Sequence, residues 1–148
     1  MILDFHIPGV PVPKQSARHR AFIKDGKPMA STYQTKAVKE YESKVASIVG
    51  AALPSGFEIH DGPVHVLAVL FAFPAPKSIS KKEKDMIASG GWMYKTTKPD
   101  VTDNLMKGLF DAMEGVVFTN DSRVCDVRDV RKVYRKKVGT WIRIELKQ

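Results

Sequence analysis

Asp100-Val101-Thr102-Asp103-Asn104-Leu105-Met106-Lys107-Gly108-Leu109-Phe110-Asp111-Ala112-Met113-Glu114-Gly115 is the stretch that decides how this chain folds. From Asp103 to Glu114 its apolar residues recur at helical spacing, which puts Leu105, Met106, Leu109, Phe110 and Met113 on one side. Asp103, Lys107, Asp111 and Glu114 fall together on another side. The segment is therefore expected to be a helix with a buried face and a chemical face. Pro99 keeps its predecessor extended, Asp100 or Thr102 is placed to cap the first turn, and Gly115 supplies the stop. The acidic residues thus stand at the helix entrance.

A carboxylate at a helix start has a plain explanation, because the macrodipole favours negative charge there by about 0.3–1 kcal/mol. Asp103 and Lys107 can equally form an i, i+4 ion pair worth about 0.2–0.5 kcal/mol. Taken singly, each residue favours that explanation. The balance shifts with Asp121, which lies just beyond the apolar run Val116-Val117-Phe118, expected to be a short strand. A strand folding back along the helix would bring Asp121 to Asp100 and Asp103 around one ion. Mg²⁺ takes oxygen ligands and keeps several waters, so two or three carboxylates beside a phosphate suffice, and Mn²⁺ is the alternative ion. Such an ion polarises a phosphoryl group and lowers the pKa of the attacking water, with Lys107 placed to stabilise charge on the phosphate. No cysteine or histidine pair has zinc spacing, which argues against a structural zinc.

The surroundings have the opposite sign. The 148 residues carry 24 Lys and Arg against 16 Asp and Glu, a formal charge of +8. Such a surplus favours nucleic acid through counterion release. The length suits one domain, residues 1–148, with a single core. The longest apolar run, Val66 to Phe73, is too short to span a bilayer, and the start of the chain has no signal-like core. Cys125 stands alone, so there is no internal disulfide. A cytoplasmic protein without a membrane partner is the expectation. The histidines at 6, 19, 60 and 65 show no partner pattern, and there is no Gly-x-Ser-x-Gly elbow.

Outward from the motif, the order of elements predicts an α/β (α+β) fold, a two-layer sandwich. A mixed sheet of about four or five strands would be covered on one face by two main helices. Ile2 to Pro8, Val64 to Phe73, Val124 to Tyr134 and Thr140 to Leu146 read as strands, the third with a slip suggesting a bulge. Thr35 to Leu53 reads as the longest helix, and Ser80 is placed to cap a short one from Lys81 to Ser89. Basic side chains gather in three places. Lys14, Arg18 and Arg20 lie in an expected loop from Lys14 to Lys27 with a turn at Asp25-Gly26, where Phe22 and Tyr33 offer rings for stacking. Lys98 ends a second basic stretch that contains Trp92 and Tyr94. Arg135-Lys136-Lys137 forms the densest positive patch, in an expected hairpin turn. All seven basic residues are candidate DNA contacts.

The run Lys98-Pro99-Asp100-Val101-Thr102-Asp103-Asn104-Leu105-Met106-Lys107, followed by Asp111-Ala112-Met113 and Asn120-Asp121-Ser122-Arg123-Val124, resembles the RusA family of Holliday junction endonucleases. Ile7-Pro8-Gly9 and Pro11-Val12-Pro13-Lys14 resemble that family's first strand and proline-rich turn. The resemblance implies metal-binding roles for Asp100, Asp103 and Asp121, an essential role for Lys107, and a homodimer that makes two symmetric cuts in four-way DNA during recombination and repair. Family members often belong to phages and prophages. Two departures stand out. Val101 and Thr102 both intervene where the family has one residue between its first two aspartates, so Asp100 keeps its place if the extra residue is absorbed as a bulge or turn. Asn120 replaces the first acid of a pair, which removes a charge while leaving a carbonyl oxygen. The rivals are a non-catalytic branched- or single-strand DNA-binding protein, whose acids are only caps and ion pairs, and a metal-dependent nuclease for DNA or RNA of another shape.

Overall fold

The computed structural model describes residues 1–15 and 18–148. Its main sheet has six strands in mixed orientation: β1 (Ile2–Pro8), β4 (Val64–Phe73), β5 (Trp92–Tyr94), β6 (Val124–Val127), β7 (Val130–Arg135) and β8 (Gly139–Leu146). The order is β1-β8-β4-β7-β5, with β6 also pairing β4. A separate antiparallel ribbon is made by β2 (Arg18–Lys24) and β3 (Lys27–Tyr33). The ribbon replaces the loop expected there, while Asp25 and Gly26, at φ 52° and 73°, form its two-residue turn as anticipated.

Alternation builds the sheet. Leu3, Phe5 and Ile7 on β1 and Ile142, Ile144 and Leu146 on β8 point into the core, while Arg143 stays exposed. Strand β4 is the spine, antiparallel to β8 on one side and parallel to β6 and β7 on the other. The slip expected between Val124 and Tyr134 is the break between β6 and β7. There Asp129 takes φ 32° and its carbonyl accepts from the Val69 N–H at 3.1 Å. The chain from Arg135 to Gly139 is not a hairpin turn. Strand β4 lies between β7 and β8, so this segment crosses over the end of the spine.

Helix α1 (Lys36–Ala52) starts at Thr35, whose hydroxyl accepts from the Val38 N–H, and buries Val38, Tyr41, Val45 and Val49 at three- and four-residue steps. The short α2 (Lys81–Ala88) carries a full Ser80/Glu83 capping box. Helix α3 (Lys107–Met113) packs on α1 and buries Leu109 and Met113 completely. Helices α1 and α3 share one core with one face of the sheet. No helix among the described residues is long and apolar enough to cross a membrane.

Candidate active site

The helix of the motif does not begin as an α-helix. Residues Val101–Met106 form a π-helical turn that runs straight into α3, and the Leu105 N–H donates to the Asp100 carbonyl five residues back, at 3.1 Å. A π turn takes one more residue per turn than an α turn does, so it accommodates an insertion without displacing the rest of the helix. The buried stripe stays in phase, with Leu105, Met106, Leu109 and Met113 all enclosed. Such a turn holds the second residue between Asp100 and Asp103. We expect deletion of Thr102 to convert the turn to α-helix with less than about 1 kcal/mol change in stability. Thermal melting and circular dichroism of that variant check both.

Two ties fix the motif in place. The Asn104 Oδ1 accepts from the Asp100 N–H at 3.3 Å, and the Asn104 Nδ2 donates to the Lys14 carbonyl at 3.2 Å. Behind the motif, the Lys132 Nζ donates to the carbonyls of Thr97 at 2.6 Å and Pro99 at 2.7 Å, pinning the chain that leads into Asp100. Lys95 and Thr97 meet the Tyr134 hydroxyl at 3.2 Å. The hydrogen bond with Thr97 draws the phenol below its ordinary pKa, against burial, with help from Lys95 and Lys132. Sequence reasoning missed this cluster, because Lys95, Thr97, Lys132 and Tyr134 come together only through the β5–β7 pairing.

The four principal candidates share one property. Asp100 occupies the N-cap position but makes no side-chain cap, and among the described residues Asp100, Asp103 and Asp121 make no ion pair. By contrast Asp4, Asp61, Asp111, Asp126 and Asp129 each hold a basic partner. Asp103 accepts only a long 3.4 Å contact from the Thr102 hydroxyl, and Lys107 is exposed without forming the i, i+4 pair that would have been the plain alternative. The caps and ion pairs that would explain these acids by stability alone are therefore not made.

Residues 115–117 form a turn rather than the expected short strand. Gly115, at φ 75°, donates to the Phe118 carbonyl at 2.8 Å, and only isolated bridges remain at Phe118. The turn still sends the chain back along the helix, where the Asp121 N–H donates to the Glu114 Oε2 at 2.9 Å. The Asn120 side chain is occupied in accepting from the Ser122 N–H at 2.9 Å. Thr102, Lys107, Asp111 and Asp121 line a cleft of about 510 Å³ floored by Met106 and Phe110. Asp100 and Asp103 lie outside its lining, and among the described residues no three Asp, Glu, His or Cys side chains converge as a metal cage. The donors fit a hard cation in kind: they are carboxylates lacking ionic partners, and Mg²⁺ bound by one or two of them would keep its remaining waters.

The basic candidates divide. Lys14 is not available for phosphate: its Nζ lies 2.7 Å from both Glu42 and Asp111, with 13% of the side chain exposed. Burial alone would lower its pKa, but the hydrogen bonds to Asp111 and Glu42 outweigh that and raise it. Lys14 is thus a tether between the N-terminal strap, α1 and α3. Arg18 opens β2, but its side chain lies outside the described residues. Arg20, Lys98, Lys136 and Lys137 are exposed. Arg135 and Lys137 sit over the Trp141 ring at 4.5 and 5.8 Å, and with Lys136 they border a concavity at Trp92. That patch is five residues along β7 from Val130 at the cleft, about 17 Å at strand rise.

Residues 8–145 match the family model described as endodeoxyribonuclease RusA. A relative from Bacillus subtilis (strain 168), named only as the uncharacterized protein YqaN, is 36% identical over 137 residues, covering 91% of this chain and 89% of its own.

Proposed function

Because the chain belongs to the RusA endodeoxyribonuclease family, and so is a hydrolase acting on DNA, we propose that it resolves four-way junctions by paired, symmetric hydrolysis of phosphodiester bonds. The single observation that carries the catalytic part is that Asp100, Asp103 and Asp121 hold no ionic partner among the described residues while Asp121 lines one cleft with Lys107, in a protein of net charge +8. Asp4, Asp61, Asp111, Asp126 and Asp129 hold basic partners elsewhere in the chain, and leaving Asp100, Asp103 and Asp121 unpaired suits a site that receives a cation and a phosphate.

Nucleases of this family depend on a metal ion, and in this chain Asp100, Asp103 and Asp121 would hold it, as Mg²⁺ with Mn²⁺ as substitute. When bound, the ion supplies Lewis acidity and a more acidic water. The chain's own residues supply the rest. Lys107 projects from the first turn of α3 into the cleft, where its ammonium offsets charge developing on the phosphate. Asn104 and Lys132 orient the backbone that carries Asp100. Lys98, Arg135, Lys136 and Lys137 would follow the DNA backbone away from the cleft. The whole chain acts as one nuclease domain, and a homodimer would match the two-fold symmetry of the junction.

The test is a labelled mobile four-way junction with Mg²⁺, run beside the same strands as linear duplex. Paired nicks on the junction alone are expected. Equal cutting of duplex would overturn junction selectivity, and tight binding without cutting under either ion would make the protein a binding module.

A further inference from the structure

The ribbon of β2 and β3 stands apart from the main sheet. Each described side chain on it, from Arg20 to Ser31 and at Tyr33, is exposed, so the ribbon covers neither of its faces with its own protein. A two-stranded hairpin of that kind is marginally stable in water, which leaves it in want of a partner. Its register separates the two faces, since directly opposed residues share a face and neighbours along a strand alternate. Arg20 opposes Ser31, Phe22 opposes Met29 and Lys24 opposes Lys27 on one face, where Tyr33 also falls. Ala21 opposes Ala30 and Ile23 opposes Pro28 on the other. One face therefore presents three cations and two rings, with the Arg20 guanidinium 5.9 Å over Phe22, while these pairs on the other face are uncharged.

The ribbon is also rooted at the site. The Lys14 N–H donates to the Asn104 carbonyl at 3.1 Å, and the Asn104 side chain returns a bond to the Lys14 carbonyl. The strap that feeds β2 is thereby fastened to the turn that carries Asp103.

We propose that the face bearing Arg20, Phe22, Lys24, Lys27 and Tyr33 is an arm that holds one branch of the DNA substrate, the opposite face taking no part. The inference rests on the reading of the chain as a DNA endonuclease and assigns the arm its role in it. The cations neutralise phosphates along the branch, and the rings stack on bases left unpaired where strands diverge. A ribbon of two strands has the width that a major groove accepts.

The experiment is fluorescence anisotropy of a labelled four-way junction in EDTA across a NaCl series, using the full chain. R20A/K24A/K27A is expected to weaken binding about 10–100-fold and to reduce the slope of log affinity against log salt by about 2–3. F22A/Y33A is expected to weaken binding with the slope unchanged. A21S/I23T/A30S, on the opposite face, should bind within about twofold of wild type, and R20K/K24R/K27R should keep the wild-type slope. The arm is overturned if the triple alanine variant keeps the full slope, or if the opposite-face variant loses as much affinity. A wild type that binds no DNA overturns the nuclease reading itself, whereas equal binding by wild type and the triple alanine variant overturns the arm alone.

Discussion

Asp103→Asn is expected to reduce cleavage by about 10³-fold or more while four-way junction binding survives or tightens. The change keeps the size of the side chain and removes a negative charge from beside the phosphates. No more than about 1 kcal/mol of stability should be lost, the helix-dipole share, because Asp103 forms no ion pair among the described residues and accepts only the long Thr102 contact. Asp85→Asn is the control. Asp85 is another exposed aspartate without an ion pair among the described residues, on α2, and its change should alter neither cutting nor binding. Single-turnover cleavage under Mg²⁺, with binding measured in EDTA, separates the two effects. Cutting by the Asn variant within tenfold of wild type would remove Asp103 from the chemistry.

The second large effect concerns stability. Lys14→Met is expected to cost about 2–3 kcal/mol, a fall in Tm of roughly 5–10 °C, because it leaves Glu42 and Asp111 facing each other without their shared cation. Both carboxylates keep about a quarter of their side chains exposed, which holds the loss below that of a fully buried pair. The folded pKa of Lys14 is raised above its ordinary 10.5, so its contribution is complete below that value and fades only as pH rises through the folded pKa. The melting difference between Met variant and wild type should therefore be flat across neutral pH and shrink in strong alkali. Lys136→Met, on an exposed residue, should leave Tm unchanged. A Lys14 variant that melts like wild type but binds DNA poorly would restore Lys14 to the DNA surface.

Much of this molecule is legible in its residues. The stripe of Leu105, Leu109 and Met113, the Ser80 cap, the alternation of Ile142, Ile144 and Leu146 and the Asp25-Gly26 turn are local signals, and each forms as its pattern requires. What escaped depends on pairing across the chain. Lys14 reads as one more surface cation until α1 and α3 bring Glu42 and Asp111 to it from either side. Residues 136–138 resemble a hairpin tip because nothing local reveals that β4 runs between β7 and β8. The ribbon looks like a loop because its residues have no buried face to impose a hydrophobic period. At the site, the motif and its extra residue are visible in the sequence, and the π turn that absorbs the extra residue reads there only as some bulge or turn before the helix.

The central position of β4 has a consequence for how the chain comes to be made. Its neighbours β6, β7 and β8 are all encoded after residue 120, and β1 reaches the sheet only through β8. During synthesis both edges of Val64–Phe73 must wait unpaired until residues beyond 120 have left the ribosome. Sheet assembly is then dominated by distant partners, a topology associated with slow folding and transient stickiness. Slower translation or a cooler culture should raise the soluble yield more than strengthening any local helix would.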